Sequence, residues 1–342
     1  MKKSLLALAA LTAFAGVASA QSSVTLFGIV DLGLRNTKNG STSLKTMSQD
    51  GIASSRLGFR GVEDLGGGLR AGFWIEGAIN PDVGTSAGQT WQRRSTVSLM
   101  GNFGELRLGR DYTPSFWNHT VFDPFGTNGV GAQTNLQTQL GQTSMFGAGA
   151  TTLVRANNSI GYFLPAMGGL YGQAMVAHSD GSPNGNGYKG LRIGFAGGPV
   201  NVAFGYGQTE ITPTNDQTGM NLGASFKMGN FTLFGQWHKY EVDVPANTDQ
   251  TNLMIGGALA MGAGTLKFSY GKASSDATSR EATQLAVGYV HDLSKRTSLY
   301  GTFAKISNEA GARFAVSGAP AFGGTDNKPS SSGYEVGLRH AF

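Results

Sequence analysis

The chain has 342 residues, no cysteine, 53 glycines, 10 prolines, 14% charged residues and a formal net charge of +5. The missing cysteines exclude disulfides and thiol chemistry, the low proline content excludes collagen-like or disordered chains, and so small a charge with no basic run points away from nucleic acid. Beyond residue 20 no apolar stretch reaches the length of a spanning helix, which excludes a helical membrane protein.

In chain order, Met1, Lys2 and Lys3 form a short basic region, residues 5–17 are mostly apolar, and Ala18-Ser19-Ala20 supplies small residues at a cleavage position. The apolar run is too short to cross a bilayer, so residues 1–20 are expected to be a signal peptide cut after Ala20, leaving 21–342 as the mature chain. Lys2 and Lys3 leave with it, lowering the charge from +5 to +3. A glycine-rich exported chain of low charge suits a barrel with an apolar outside and a polar lumen.

The rest of the sequence has one texture. Short turns recur at 65–68, 101–104, 167–169, 197–199, 228–230, 261–264 and 292–295, mostly rich in glycine, which supplies the positive φ of tight hairpins. Seven turns make seven hairpins, and a strand at each end (23–35 and 332–342) brings the expected total to sixteen. Most turns lie about 31 to 36 residues apart; the gap after 101–104 is about 65 and must hold an extra-long loop. Segments 36–48, 80–90, 179–188 and 308–331 are expected to be exposed loops at the end opposite the short turns. Between turns the residues alternate: Arg70 and Glu76 share one face of a strand whose other face is apolar, and Phe231, Leu233 and Trp237 share another. At the end, Tyr334, Val336, Leu338, His340 and Phe342 alternate. A terminal aromatic on such a strand resembles the assembly signal of bacterial outer-membrane barrels, which assigns that role to Phe342.

Three stretches carry a wider resemblance. They are Ser23-Val24-Thr25-Leu26-Phe27-Gly28, then Ser55-Arg56-Leu57-Gly58-Phe59-Arg60-Gly61-Val62-Glu63-Asp64-Leu65-Gly66, then Gly101-Asn102-Phe103-Gly104-Glu105-Leu106-Arg107-Leu108-Gly109-Arg110. With Gly337-Leu338-Arg339-His340-Ala341-Phe342 at the end, the chain resembles the general trimeric porins of Gram-negative bacteria, closest to the β-proteobacterial branch. That resemblance implies an all-β fold, a 16-stranded antiparallel transmembrane β-barrel with a long third loop folded into the lumen as an eyelet, here 113–154. It also implies a homotrimer among outer-membrane lipids and lipopolysaccharide, and a water-filled channel for small hydrophilic solutes and anions, with no catalysis, cofactor or metal. Phe122-Asp123-Pro124-Phe125-Gly126 resembles the bend at the eyelet tip, with the acid before the proline instead of after it.

In this family basic residues on the barrel wall face acids on the loop. The resemblance assigns the wall to Arg56, Arg60, Arg93 and Arg155. Alternation gives a different answer at one point: Val97 and Leu99 share a face with Arg93, so Arg94 is the alternative to Arg93. Asp111 at the loop root and Asp123 within it are the acids. Guanidinium groups stay charged, and several across a narrow neck raise the local anion concentration. Three or four arginines against one or two acids favour anions. The tryptophans read as interfacial girdle or packing. Among enzymes, a barrel hydrolase is the rival, but His119, His178, His238, His291 and His340 are scattered, with no nucleophile motif and no metal spacing. A solute-specific channel remains open on the sequence alone.

Overall fold

The computed structural model describes residues 23–86, 90–137, 153–179, 187–212, 215–242, 248–275, 280–309, 311–323 and 327–342. The signal-peptide reading and part of the long loop lie outside them. The strands, in order, are β1 (Ser23–Asn39), β2 (Thr42–Ser48), β3 (Arg56–Gly66), β4 (Leu69–Ala78), β5 (Arg94–Gly101), β6 (Gly104–Tyr112), β7 (Arg155–Phe163), β8 (Leu170–Ala177) and β9 (Tyr188–Gly197). They continue as β10 (Val200–Thr212), β11 (Asn215–Met228), β12 (Phe231–Val242), β13 (Thr248–Met261), β14 (Gly264–Ser275), β15 (Arg280–Asp292), β16 (Thr297–Glu309) and β17 (Ser330–Ala341). One helix, α1 (Phe116–Phe122), lies in the loop after β6.

Each strand pairs antiparallel with its neighbour, and β17 returns to β1 from Ile29 opposite Ala341 to Asn39 opposite Ser331. The sheet therefore closes on itself and leaves no edge, the condition for a strand structure in lipid. β2 and β3 both pair with β1. They are two halves of one stave, so the barrel has the sixteen staves expected. All seven short turns fall where the sequence placed them; Gly66, Gly67 and Gly68 have φ of +83°, +62° and +81°, a region costly for any residue with a Cβ.

The burial is that of a soluble protein turned inside out. Leu26, Val97, Ile193, Ile255, Val336 and Leu338 are exposed on the outer face. Their alternates Asp31, Ser98, Asn221, Gln236, Gln284 and Glu335 are buried within. Period two lets one strand meet both lipid and water.

Two expected exposed loops are otherwise. Residues 36–48 are mostly hairpin: Gly40, at φ +58°, makes a two-residue turn and β2 folds back on β1. The true break is at 49–55, which dips inward; Asp31 Oδ2 accepts the backbone N–H of Ile52 at 2.9 Å and Ala53 at 2.8 Å. Within 308–331, Phe314 and Val316 are 2% and 1% exposed, because this segment tucks into the barrel mouth and not outward. Its apolar residues find partners there in Val130 and Leu136 of the long loop and in Ala286, Ala304 and Ile306 of the wall.

The long loop crosses the lumen because the wall has been hollowed to receive it. A Cβ on Gly223 of β11 would lie 2.1 Å from Phe122, one on Gly256 2.9 Å from Pro124, and one on Gly288 2.9 Å from Phe125. The loop's backbone groups are then met by wall side chains. Gln284 Nε2 donates to the carbonyls of Gly131 and Ala132 at 3.0 Å, Gln250 Nε2 donates to Leu136 O at 2.6 Å, and Glu335 Oε1 accepts Val130 N–H at 3.1 Å. A buried chain segment without such partners would lose about 1–3 kcal/mol per orphaned group.

Candidate channel constriction

The loop lies against β10 to β17, which leaves the wall of β3 to β7 facing open space. An open cavity of about 560 Å³ lies between them, lined by Arg56, Arg93, Arg94 and Arg155 together with Glu76, Asp111, Tyr112 and Trp117.

Each arginine arrives by a different route. Arg56 opens β3, and its Nε stands 3.8 Å from Glu76 Oε1. Arg94 opens β5 directly opposite Glu76, so alternation sends it inward, 3.8 Å from Asp111 and stacked 4.5 Å from the Trp74 ring. Arg93 precedes the strand, where alternation does not apply. Its backbone N–H donates to Glu76 O at 3.1 Å and its Nε to Glu76 Oε1 at 2.6 Å. The sequence offered Arg93 and Arg94 as alternatives; both line the cavity. Arg155 opens β7 across from Tyr112, lies 4.3 Å over its ring, and among the described residues its Nε has no hydrogen-bond partner.

Arg60 shares the face of Arg56 but stands four residues along, about 13 Å at the rise of a strand. It lies nearer the short-turn end, 5.4 Å over Phe27 and 5.1 Å over Trp74. Among the described residues no carboxylate pairs with it.

Of the two expected acids, Asp111 at the loop root lines the cavity and Asp123 does not. Asp123 does not face the wall. It is 6% exposed, and its two oxygens accept the N–H groups of Phe125 and Gln133 at 2.8 Å each, so it folds the bend after α1. With the acid before Pro124, its carboxylate reaches forward over the turn to Phe125 N–H, two residues on, as an Asx turn does. Burial pushes its pKa up to about 7. Asp111 sits on the wall itself, 2.5 Å from Arg107 and 3.8 Å from Arg94. Sequence reasoning missed Glu76 in this setting; besides Arg93 and Arg56 it accepts the Trp74 Nε1–H at 3.1 Å. Its place on the same strand face as Trp74 was the available signal.

Behind the loop, His119 and His238 stack at 4.0 Å, and His119 bonds Tyr240 and Gln137. Burial holds His119 down to about pKa 3, so it is neutral. Among the described residues no cluster of three or more His, Cys, Asp or Glu could hold a metal ion. Phe342 packs on the outside over Gly28, whose N–H and carbonyl it pairs at 3.1 Å.

A family model described as Gram-negative porin matches residues 7–311. Outer membrane porin protein 32 of Delftia acidovorans is 39% identical, with the whole of both chains aligned. An outer membrane porin protein of Bordetella pertussis is 29% identical, also over both full lengths. The solved structure of an anion-selective porin from Comamonas acidovorans superposes with a TM-score of 0.83 at 36% identity, covering 94% of this chain and 100% of that one. A closed sixteen-stave barrel, a loop laid across its lumen and relatives aligned over their full length agree, and the chain belongs to the Gram-negative porin family: it is an outer-membrane β-barrel channel and not an enzyme.

Proposed function

We propose that this porin is a passive diffusion channel that prefers anions, with Arg56, Arg93, Arg94 and Arg155 as the basic wall of its constriction and Arg60 below them. One observation carries this reading: four guanidinium groups converge on one cavity that holds two carboxylates, while the loop acid Asp123 is turned away and spent on the loop's own backbone. Glu76 is shared between Arg56 and Arg93 and Asp111 between Arg94 and Arg107, so they orient the cations and still leave the cavity net positive. A net positive field in a narrow neck concentrates anions and repels cations. The Comamonas neighbour is itself described as anion-selective, which supports the reading.

The reading extends to the whole particle. The family supports a homotrimer embedded among outer-membrane lipids and lipopolysaccharide, with Phe342 as an assembly signal and cleavage after Ala20. Protein sequencing of the mature chain should then begin at Gln21, and light scattering in detergent should give three chains per particle.

The main test is the reversal potential of bilayer-inserted protein across a KCl gradient, for wild type and for Arg56→Ala and Arg155→Ala. Chloride preference should be clear in wild type and reduced in both variants. A cation-preferring wild type, or variants that match it, would overturn the assignment.

A further inference from the structure

Below the constriction the lumen wall changes character. Val62, Trp74 and Met100 line an open cavity of about 380 Å³ toward the short-turn end, and Phe27 stands beside them with its ring 4.8 Å from that of Trp74. Strand register puts Val62 and Trp74 on the face of Arg60, and Met100 on the face of Arg94. Val62 is 43% exposed, and Phe27, Trp74 and Met100 are half-buried. Apolar groups on the opposite wall, such as Ala286 and Ile306, lie covered beneath the loop; these four do not. An uncovered apolar strip costs free energy against water, so it needs a different account from the polar wall around it.

The strip is bordered by cations. Arg60 and Arg94 flank Trp74 at 5.1 and 4.5 Å, and Arg60 has no carboxylate partner among the described residues. The one acid of the cavity, Glu105, is held by Arg107 at 2.9 Å. A guanidinium beside an aromatic and aliphatic surface is complementary to a ligand with a carboxylate at one end and a flat apolar body at the other. Chloride or acetate satisfies only the first half.

We infer that the Phe27–Val62–Trp74–Met100 strip, with Arg60, is a subsite for small monocarboxylates that carry an apolar ring or branched body. This rests on the reading of the lumen as an anion path and adds a solute class to it. The carboxylate pairs with Arg60 while the body covers Val62 and Met100.

The test uses the full-length mature protein in planar bilayers, with sodium benzoate or sodium acetate added on the periplasmic side and block of the chloride current recorded. Benzoate should reach half-block at about one-tenth the acetate concentration, the gain expected from withdrawing a modest apolar area from water. In V62T/M100Q, which keeps side-chain size, the ratio should fall to about twofold or less with acetate block unchanged. Equal block by benzoate and acetate in wild type, or a benzoate preference that survives the double variant, overturns the subsite. If the double variant does not insert, Val62→Thr and Met100→Gln alone carry the same comparison. A wild type with no chloride preference in its reversal potential defeats the parent reading instead, so the two failures are distinguishable.

Discussion

Replacing Glu76 with glutamine tests the electrostatic argument most directly, because it removes one negative charge from the middle of the basic wall and leaves its shape. The amide keeps an acceptor for Arg93 Nε, now 2.6 Å from Oε1. The cavity's four guanidiniums and two carboxylates become four and one. For an ion passing ~7 Å from the lost charge in a water-like dielectric, one unit charge is worth about 0.6 kcal/mol, and about half of that after screening at 0.1 M salt. The anion gains and the cation loses this amount, so the chloride-to-potassium permeability ratio should rise about threefold. At 1 M salt, where screening acts over about 3 Å, the same substitution should change the ratio only about 1.2-fold. The assay is the reversal potential across KCl gradients at both mean concentrations. A fall in the ratio at low salt, or an increase of equal size at both salts, would refute the reasoning, since the effect would then not be a field acting through water.

Three further outcomes follow from the loop and its seat. Gly223→Ala places a Cβ 2.1 Å from a ring carbon of fully buried Phe122, so α1 must move toward the arginine wall; single-channel conductance should fall and unfolding should cost about 1–3 kcal/mol less, with Phe122→Leu in the same chain restoring part of both. Phe314→Ala removes the mouth segment's anchor in the core shared with Val130 and Leu136 and should destabilise by about 3–5 kcal/mol, read by denaturant unfolding of the detergent-solubilised protein. For Asp123 the folded pKa, about 7, lies above its ordinary value of 3.8, so its contribution is full below pH 4 and is lost as pH rises through 7. The melting temperature should therefore be higher at pH 5 than at pH 8, and Asp123→Asn should flatten that slope; a wild type more stable at pH 8 would contradict it.

The barrel was legible because its two rules are local. Tight turns need glycine, and a wall between lipid and water needs period two, so seven turns and sixteen staves could be counted from the residues alone. What was not legible came from contacts between distant segments. Nothing near Phe314 or Val316 announces that they pack under Val130 and Leu136, since the partners stand far away in sequence. A polar, glycine-bearing segment such as 308–331 looks like any exposed loop until the lumen supplies its apolar partners. The 36–48 segment is a plainer miss: Gly40-Ser41 is a two-residue hairpin signal with glycine at its first position, and β2 follows it.

The constriction shows why parity alone misjudges such sites. Within β5 the rule holds and sends Arg94 inward, but Arg93 stands one residue before the strand and reaches the same cavity by bonding Glu76 through both its backbone and its side chain. Adjacent residues can share a face where the regular ladder is broken, as it is just before β5. That is also where two guanidiniums can be brought together without two strands to carry them, with Glu76 between Arg93 and Arg56 to offset their repulsion. Glu76 is therefore better understood as the group that lets the cations crowd than as an acid opposing them. If so, removing it should raise selectivity while widening the scatter of Arg93 and Arg56 positions. A variant with higher anion preference but noisier open-channel current is the signature that separates this role from simple charge subtraction.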